Sequence, residues 1–204
     1  GELAEAGVVG FSDDGNPVSD ANIMRQALSY AKPFSLPIIN HCEVPELSSR
    51  GVMNEGWTST RLGLGGIPGS AEEVMVARDI ELTELTGGRL HIAHASTAGT
   101  LELVRRAKER GLTVTCEATP HHLTLSEEAV LGRAVEGSYG PLDENAYDTN
   151  AKVAPPLRSR EDVAAMAEGL RDGVVDFVAT DHAPHSSVAK LCTFEEAANG
   201  ISGL

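Results

Sequence analysis

The 204-residue chain carries 16 Lys and Arg against 30 Asp and Glu, a formal charge of −14 at pH 7. That length suits one domain with one good core, and the acidity argues against nucleic acid and anionic membranes as partners. No apolar stretch of about 20 residues is present to span a bilayer, and no basic start precedes an apolar run, so no secretory leader is expected.

Cys42, Cys116 and Cys192 are odd in number and widely spaced. They point to a reducing, cytoplasmic setting rather than a disulfide framework.

In chain order, Val8-Val9-Gly10-Phe11 reads as a short strand ending in Ser12-Asp13-Asp14-Gly15. A helix follows from about Asp20 to Lys32, with Ser19 or Asp20 as its cap and Met24, Ala27, Leu28 and Ala31 as its apolar stripe. Residues 37–40 form the next strand, ending at His41-Cys42-Glu43. A Gly- and Ser-rich loop then runs to about Gly69. Ser70 is expected to cap a helix, with Glu73 closing a capping box and Gly87 ending it.

The third strand is Leu90-His91-Ile92-Ala93-His94, and a helix from Ala98 to Arg110 follows. The fourth strand covers residues 112–117 and leads to Thr119-Pro120-His121-His122. An irregular stretch reaches Pro156, after which Ser159 caps a further helix. The fifth strand is the apolar run Phe177-Val178-Ala179, which reads as buried and ends at Asp181-His182-Ala183-Pro184-His185. A short helix near Glu195 is the only element expected in the tail.

Strand and helix alternate, which calls for parallel βαβ units. Each strand ends in a group able to bind or react: Asp14, His41, His94, the His121-His122 pair and Asp181. A doubly wound sheet concentrates its site at one crevice, whereas a barrel gathers it from many strand ends. The even spread favours a barrel. A closed barrel needs eight strands and about 250 residues, so five strands imply an incomplete (β/α)8 barrel.

Asp14, His41, His94 and Asp181 are donors suited to Zn²⁺ and similar ions. Zinc with an open position lowers the pKa of bound water from 15.7 to about 7, giving a nucleophile for a carbonyl carbon at neutral pH. A carboxylate to move the proton completes a minimal hydrolase.

The segments Phe11-Ser12-Asp13-Asp14-Gly15, Asn40-His41-Cys42-Glu43, His91-Ile92-Ala93-His94-Ala95-Ser96-Thr97, Ala118-Thr119-Pro120-His121-His122, Pro155-Pro156-Leu157-Arg158 and Ala179-Thr180-Asp181-His182-Ala183-Pro184-His185 together resemble bacterial dihydroorotase, of the amidohydrolase superfamily. The resemblance runs over nearly the whole chain, in the family's order. It implies a cytoplasmic cyclic amidohydrolase of pyrimidine biosynthesis that interconverts N-carbamoyl-L-aspartate and dihydroorotate with up to two zinc ions. On this basis residues 1–204 are the C-terminal portion of a single barrel domain, strands four to eight, without the N-terminal strands and a final C-terminal segment.

Residue by residue, the resemblance makes Asp14 the metal-bridging acid, with Asp13 the alternative, and His41 and His94 ligands of the second metal. Asp181 binds the first metal and acts as general base, then acid. His185, Asn199 and Gly200 contact substrate. Ala154 stands where dihydroorotases often carry an asparagine that touches substrate, and an alanine there also resembles allantoinases. His91, three residues before His94, is expected to face the outer helices. His121 and His122 receive no chemistry, and Arg158 reads as a loop anchor. Cys42 reads as a packed residue, not a nucleophile.

The family's first strand carries a His-x-His pair and a substrate-gripping arginine, and no His-x-His occurs here. At most one well-formed metal site is therefore expected, and the 204 residues alone are expected to be inactive. A homo-oligomer, aspartate carbamoyltransferase or a chain supplying the missing strands are the expected partners. An allantoinase or dihydropyrimidinase-like enzyme, or a non-catalytic partner of the transcarbamoylase, are the alternatives.

Overall fold

The computed structural model describes residues 1–13, 15–132, 142 and 144–204. A short helix α1 (Glu2–Glu5) precedes strand β1 (Phe11–Ser12), helix α2 (Ala21–Ala31) and strand β2 (Ile38–Asn40). Helix α3 (Pro45–Ser48), strand β3 (Met53–Asn54), helix α4 (Trp57–Leu62) and strand β4 (Gly66–Ile67) fill the connection to helix α5 (Ser70–Thr86). Then come β5 (Leu90–Ile92), α6 (Ala98–Glu109), β6 (Val114–Ala118), α7 (Pro120–Thr124), α8 (Arg160–Arg171), β7 (Phe177–Val178) and α9 (Ser187–Lys190).

The main sheet has the order β1-β2-β5-β6-β7, and every pairing is parallel. Its strands follow one another in chain order with no reversal. A doubly wound sheet would show a reversal at its switch point, so the order is that of a barrel wall.

The wall carries its helices on one face. Leu90, Ile92, Val114, Cys116 and Ala118 point outward onto Met24, Leu28, Met75, Val76, Leu101, Val104 and Met166 in one buried core. The alternation of β6 is clean, with Val114, Cys116 and Ala118 buried and Thr115 and Glu117 less so. Asp20 caps α2 by accepting from the Asn22 and Ile23 amides, and Ser159 and Asp162 close a reciprocal capping box on α8.

Several expectations need correction. The first strand starts at Phe11, and Val9 is exposed. Residues 43–69 are not a plain loop. Strands β3 and β4 pair in parallel there as a second, two-stranded sheet. Met53, Leu62 and Leu64 from this region join Val130, Val153, Leu157 and Phe194 in a second small core. The signal was weak because each element is too short to show a period.

Ser70 does not cap α5. Gly69 holds the cap position, and the Glu73 carboxylate lies over Gly99 at the start of α6 instead of closing a box. The fifth strand is not buried: Phe177 is 48% exposed and Val178 44%. It is the outermost strand, and among the described residues only β6 pairs with it. The tail helix is α9, and residues near Glu195 form turns. Residues 133–141 and 143 of the irregular stretch lie outside the described residues. No helix among the described residues is long and apolar enough to cross a membrane.

Candidate active site

Beyond the carboxyl ends of β2, β5 and β7 lies a cavity of about 330 Å³. His41, His94 and Asp181 line it together with Ala154, Asn199 and Gly200. Six residues singled out from the sequence, scattered over 160 positions of chain (41 to 200), thus share one wall-to-wall space. Gly15 also lines it, but Asp14 itself lies outside the described residues. A larger cleft, about 510 Å³, opens near Thr124 and Arg160. It gathers no strand end, and its Arg160 is paired with Glu128.

His41 follows directly on β2, and the ring Nδ1 sits 3.1 Å from His94 Nε2, with the rings edge to face. Burial, then the neighbouring His94, pulls the His41 imidazole down to about 4, so it is neutral at pH 7. His94 follows β5 at φ 33°, and Asp181 sits at φ 42°. Both are non-glycine residues in the left-handed region, a costly conformation that recurs at functional sites. It turns both side chains off their strands toward the cavity.

Three buried nitrogens have no partner among the described residues: His94 Nδ1 and both ring nitrogens of His121. Buried polar atoms are normally satisfied, and unpaired imidazole nitrogens beside a carboxylate fit an electrophile such as a metal ion. Among the described residues no group of three or more His, Cys, Asp or Glu is arranged to hold a metal. The donors present, two imidazoles and an acid on one cavity wall, nonetheless fit a zinc-like ion in kind.

His185 does not line the cavity. Its Nε2 lies 2.9 Å from the Asn199 carbonyl, behind the wall. His182 accepts from the Gly203 amide and bridges to Ile201, tying the Asp181 loop to the tail. Glu43 reaches the cavity but accepts from Ser48 Oγ rather than orienting His41. Cys42 is buried and its thiol is raised far above its usual range, chiefly by burial, as expected of a packed residue.

His91 needs correction. It faces the inner side of the sheet, not the helices. Its Nδ1 is 2.8 Å from Thr115 Oγ1, its Nε2 is 3.1 Å from Glu117, and its ring stacks on Phe177. The odd spacing from His94 misled because the chain turns at residue 93, so strand alternation no longer relates the two. His122 is buried between Thr119 Oγ1 at 2.8 Å and the Pro155 carbonyl at 3.1 Å, a structural placement. His121 was the missed residue: it is buried, unpaired, and feels both Asp181 and His94.

Arg158 is an anchor. Fully buried, it donates to Ser96 Oγ, Asn54 Oδ1 and the Ile67 carbonyl, and lies 3.8 Å from Glu72. Glu72 in turn accepts from the Ser96 and Thr97 amides just past His94.

Comparison with known proteins concerns the chain as a whole. The Dihydro-orotase-like family matches residues 1–100. A dihydroorotase of Pelotomaculum thermopropionicum is 55% identical over all 204 residues, and one of Syntrophus aciditrophicus is 54% identical. Over its whole length the chain is similar to dihydroorotases. It spans less than half the length of these relatives, 44% and 45% respectively.

Among solved structures, a D-hydantoinase (dihydropyrimidinase) from Thermus sp. superposes with a TM-score of 0.74 at 24% identity, over 98% of this chain and 44% of that one. An L-hydantoinase from Arthrobacter aurescens gives 0.76 at 21% identity, over 99% and 45%. At those identities the likeness concerns the fold. The chain is therefore an α/β unit with five parallel strands of an incomplete (β/α)8 barrel.

Proposed function

We propose that this chain forms the C-terminal part of a single amidohydrolase barrel domain, and that the whole protein is a zinc-dependent dihydroorotase of pyrimidine biosynthesis. The carrying observation is the single cavity that joins His41, His94 and Asp181 to Ala154, Asn199 and Gly200 in a chain 55% identical to a dihydroorotase.

His41, His94 and Asp181, with Asp14, are the residues that would hold the metal. Zinc bound there would lower the pKa of a water and polarise the ring carbonyl. The Asp181 carboxylate takes the proton of the attacking water and passes it to the amide nitrogen as the C–N bond breaks, giving carbamoyl-aspartate. The reverse sequence closes the ring. Asn199, Gly200 and Ala154 form the substrate wall, with His185 reaching it through Asn199.

The protein acts on a small molecule in the cytoplasm as a homo-oligomer. Turnover of dihydroorotate by the full-length protein, with zinc lost in His41→Ala or His94→Ala, supports the reading. Ala154 on the cavity wall is the one feature favouring another ring. Turnover of allantoin or dihydrouracil but not dihydroorotate overturns the substrate and keeps the reaction class. No turnover of any of these, with tight binding to aspartate carbamoyltransferase, replaces the enzyme with a scaffold.

A further inference from the structure

Lys190, at the end of α9, is 7% exposed, and among the described residues no carboxylate forms an ion pair with its ammonium. Its Nζ donates to three backbone carbonyls: Ala198 at 2.7 Å, Thr149 at 2.9 Å and Lys152 at 3.3 Å. An ammonium has three donors and no more, so all are used. The three carbonyls belong to two segments distant in sequence. Residues 149–152 lead directly into Ala154, and Ala198 leads directly into Asn199 and Gly200.

Among the described residues, the same two segments meet without the lysine at one backbone bond, Gly200 N–H to the Lys152 carbonyl, 3.0 Å. The clasp is reciprocal. Thr149 Oγ1 donates back to the Lys190 carbonyl at 2.6 Å, and Lys152 Nζ donates to the Glu195 carbonyl at 2.8 Å. A buried cation without an anionic partner is costly, and burial lowers the Lys190 ammonium from its usual range. A neutral side chain would avoid that cost. What an ammonium alone provides is three diverging donors from one atom; the planar guanidinium of arginine does not.

We infer that Lys190 is a positioning residue that sets the substrate wall: it fixes the Ala154 segment against the Asn199-Gly200 segment and so defines the width of the cavity between them. The inference rests on the proposed function for its kinetic consequence, but not for its structural one. It makes no use of metal binding, because neither segment contributes His41, His94 or Asp181.

The test compares Lys190→Met and Lys190→Arg with wild type. In the 204-residue chain, amide exchange is followed at Gly200 and in α5 as an internal reference. Both variants are expected to speed exchange at Gly200 by tenfold or more and leave α5 unchanged. In the full-length protein, KM for dihydroorotate is expected to rise tenfold to about a hundredfold, the range of a wall misplaced by about 1 Å. The kcat should change less than threefold, and zinc content should not change.

Unchanged Gly200 exchange together with unchanged KM overturns the inference, as does a fall in kcat with KM constant. A wild-type protein inactive on every cyclic amide overturns the proposed function instead, and Gly200 exchange then decides the inference alone. Should Lys190→Met not fold, Lys190→Gln, which keeps donors for one or two of the carbonyls, is read by the same criteria.

Discussion

Replacing Arg158 by methionine should destabilise the chain far more than an exposed charge change would. The guanidinium is 2% exposed and serves Ser96, Asn54 and the Ile67 carbonyl, with Glu72 3.8 Å away and itself 3% exposed. Methionine fills most of the volume but leaves Asn54 Oδ1 and the Ile67 carbonyl without their donor. Glu72 remains buried without its cationic neighbour. Breaking a buried pair from one side costs about 3–5 kcal/mol. For a domain of this size that is a fall in Tm of roughly 6–20 °C. Urea unfolding of Arg158→Met, Glu72→Gln and the double variant measures it. The double variant should recover about 1–3 kcal/mol relative to the sum of the singles, because neutralising Glu72 removes the stranded charge. A cost below about 1 kcal/mol for Arg158→Met, or strict additivity, would refute the account of the network.

The metal-free chain should lose stability as pH falls from 6.5 toward 4. His41 is held down to about 4, and His121 and His122 are also lowered, all chiefly by burial. Above pH 6.5 both states are neutral and the contribution is complete; below it the unfolded chain takes up protons that the folded chain refuses. His41 alone accounts for about 3 kcal/mol over that window, and a His41→Asn variant whose urea midpoint falls just as steeply with pH would contradict this. Leu28→Ala, at a fully buried position in the main core, should cost about 2–5 kcal/mol by urea unfolding. Asp181→Asn in the full-length protein should lower kcat about 10²–10⁴-fold with little change in Tm, the range for losing a general base; a variant as active as wild type would remove Asp181 from proton transfer.

The sequence carried the wall and the strand-end residues clearly, because both depend on local pattern. Short apolar runs mark β2, β5 and β6, and a polar group at the end of each projects beyond the sheet by geometry alone. What stayed hidden depends on contacts between distant segments. The β3-β4 sheet pairs residues 53–54 with 66–67, too short a match for any period. His121 looked like its neighbour His122 in the sequence. Only packing separates a histidine bonded to Thr119 and Pro155 from one with both nitrogens unpaired. His91 failed for the opposite reason: strand alternation was applied across a turn that breaks it.

Helix α5 shows why the site's supports were harder to read than the site. A helix against a barrel wall should show an apolar stripe, yet the buried side of α5 includes Glu72, Asp79 and Thr83 beside Ala71, Met75, Val76 and Ile80. Each acid is spent on a strand end. Glu72 accepts from the backbone of Ser96 and Thr97, two residues beyond His94. Asp79 accepts from Asn40 at 2.7 Å, directly before His41, and is paired with Arg78. Arg78 donates to the Val18 and Ser19 carbonyls, on the loop that follows Gly15, while Asn40 Oδ1 accepts from the Val18 amide. One helix thus holds three loops that reach the cavity through hydrogen bonds. Such bonds are directional where apolar packing is not, and that is the property a site needs if His41 and His94 are to be kept at a fixed separation. The polar residues that weaken the helix pattern are the same ones that fix the geometry of the cavity.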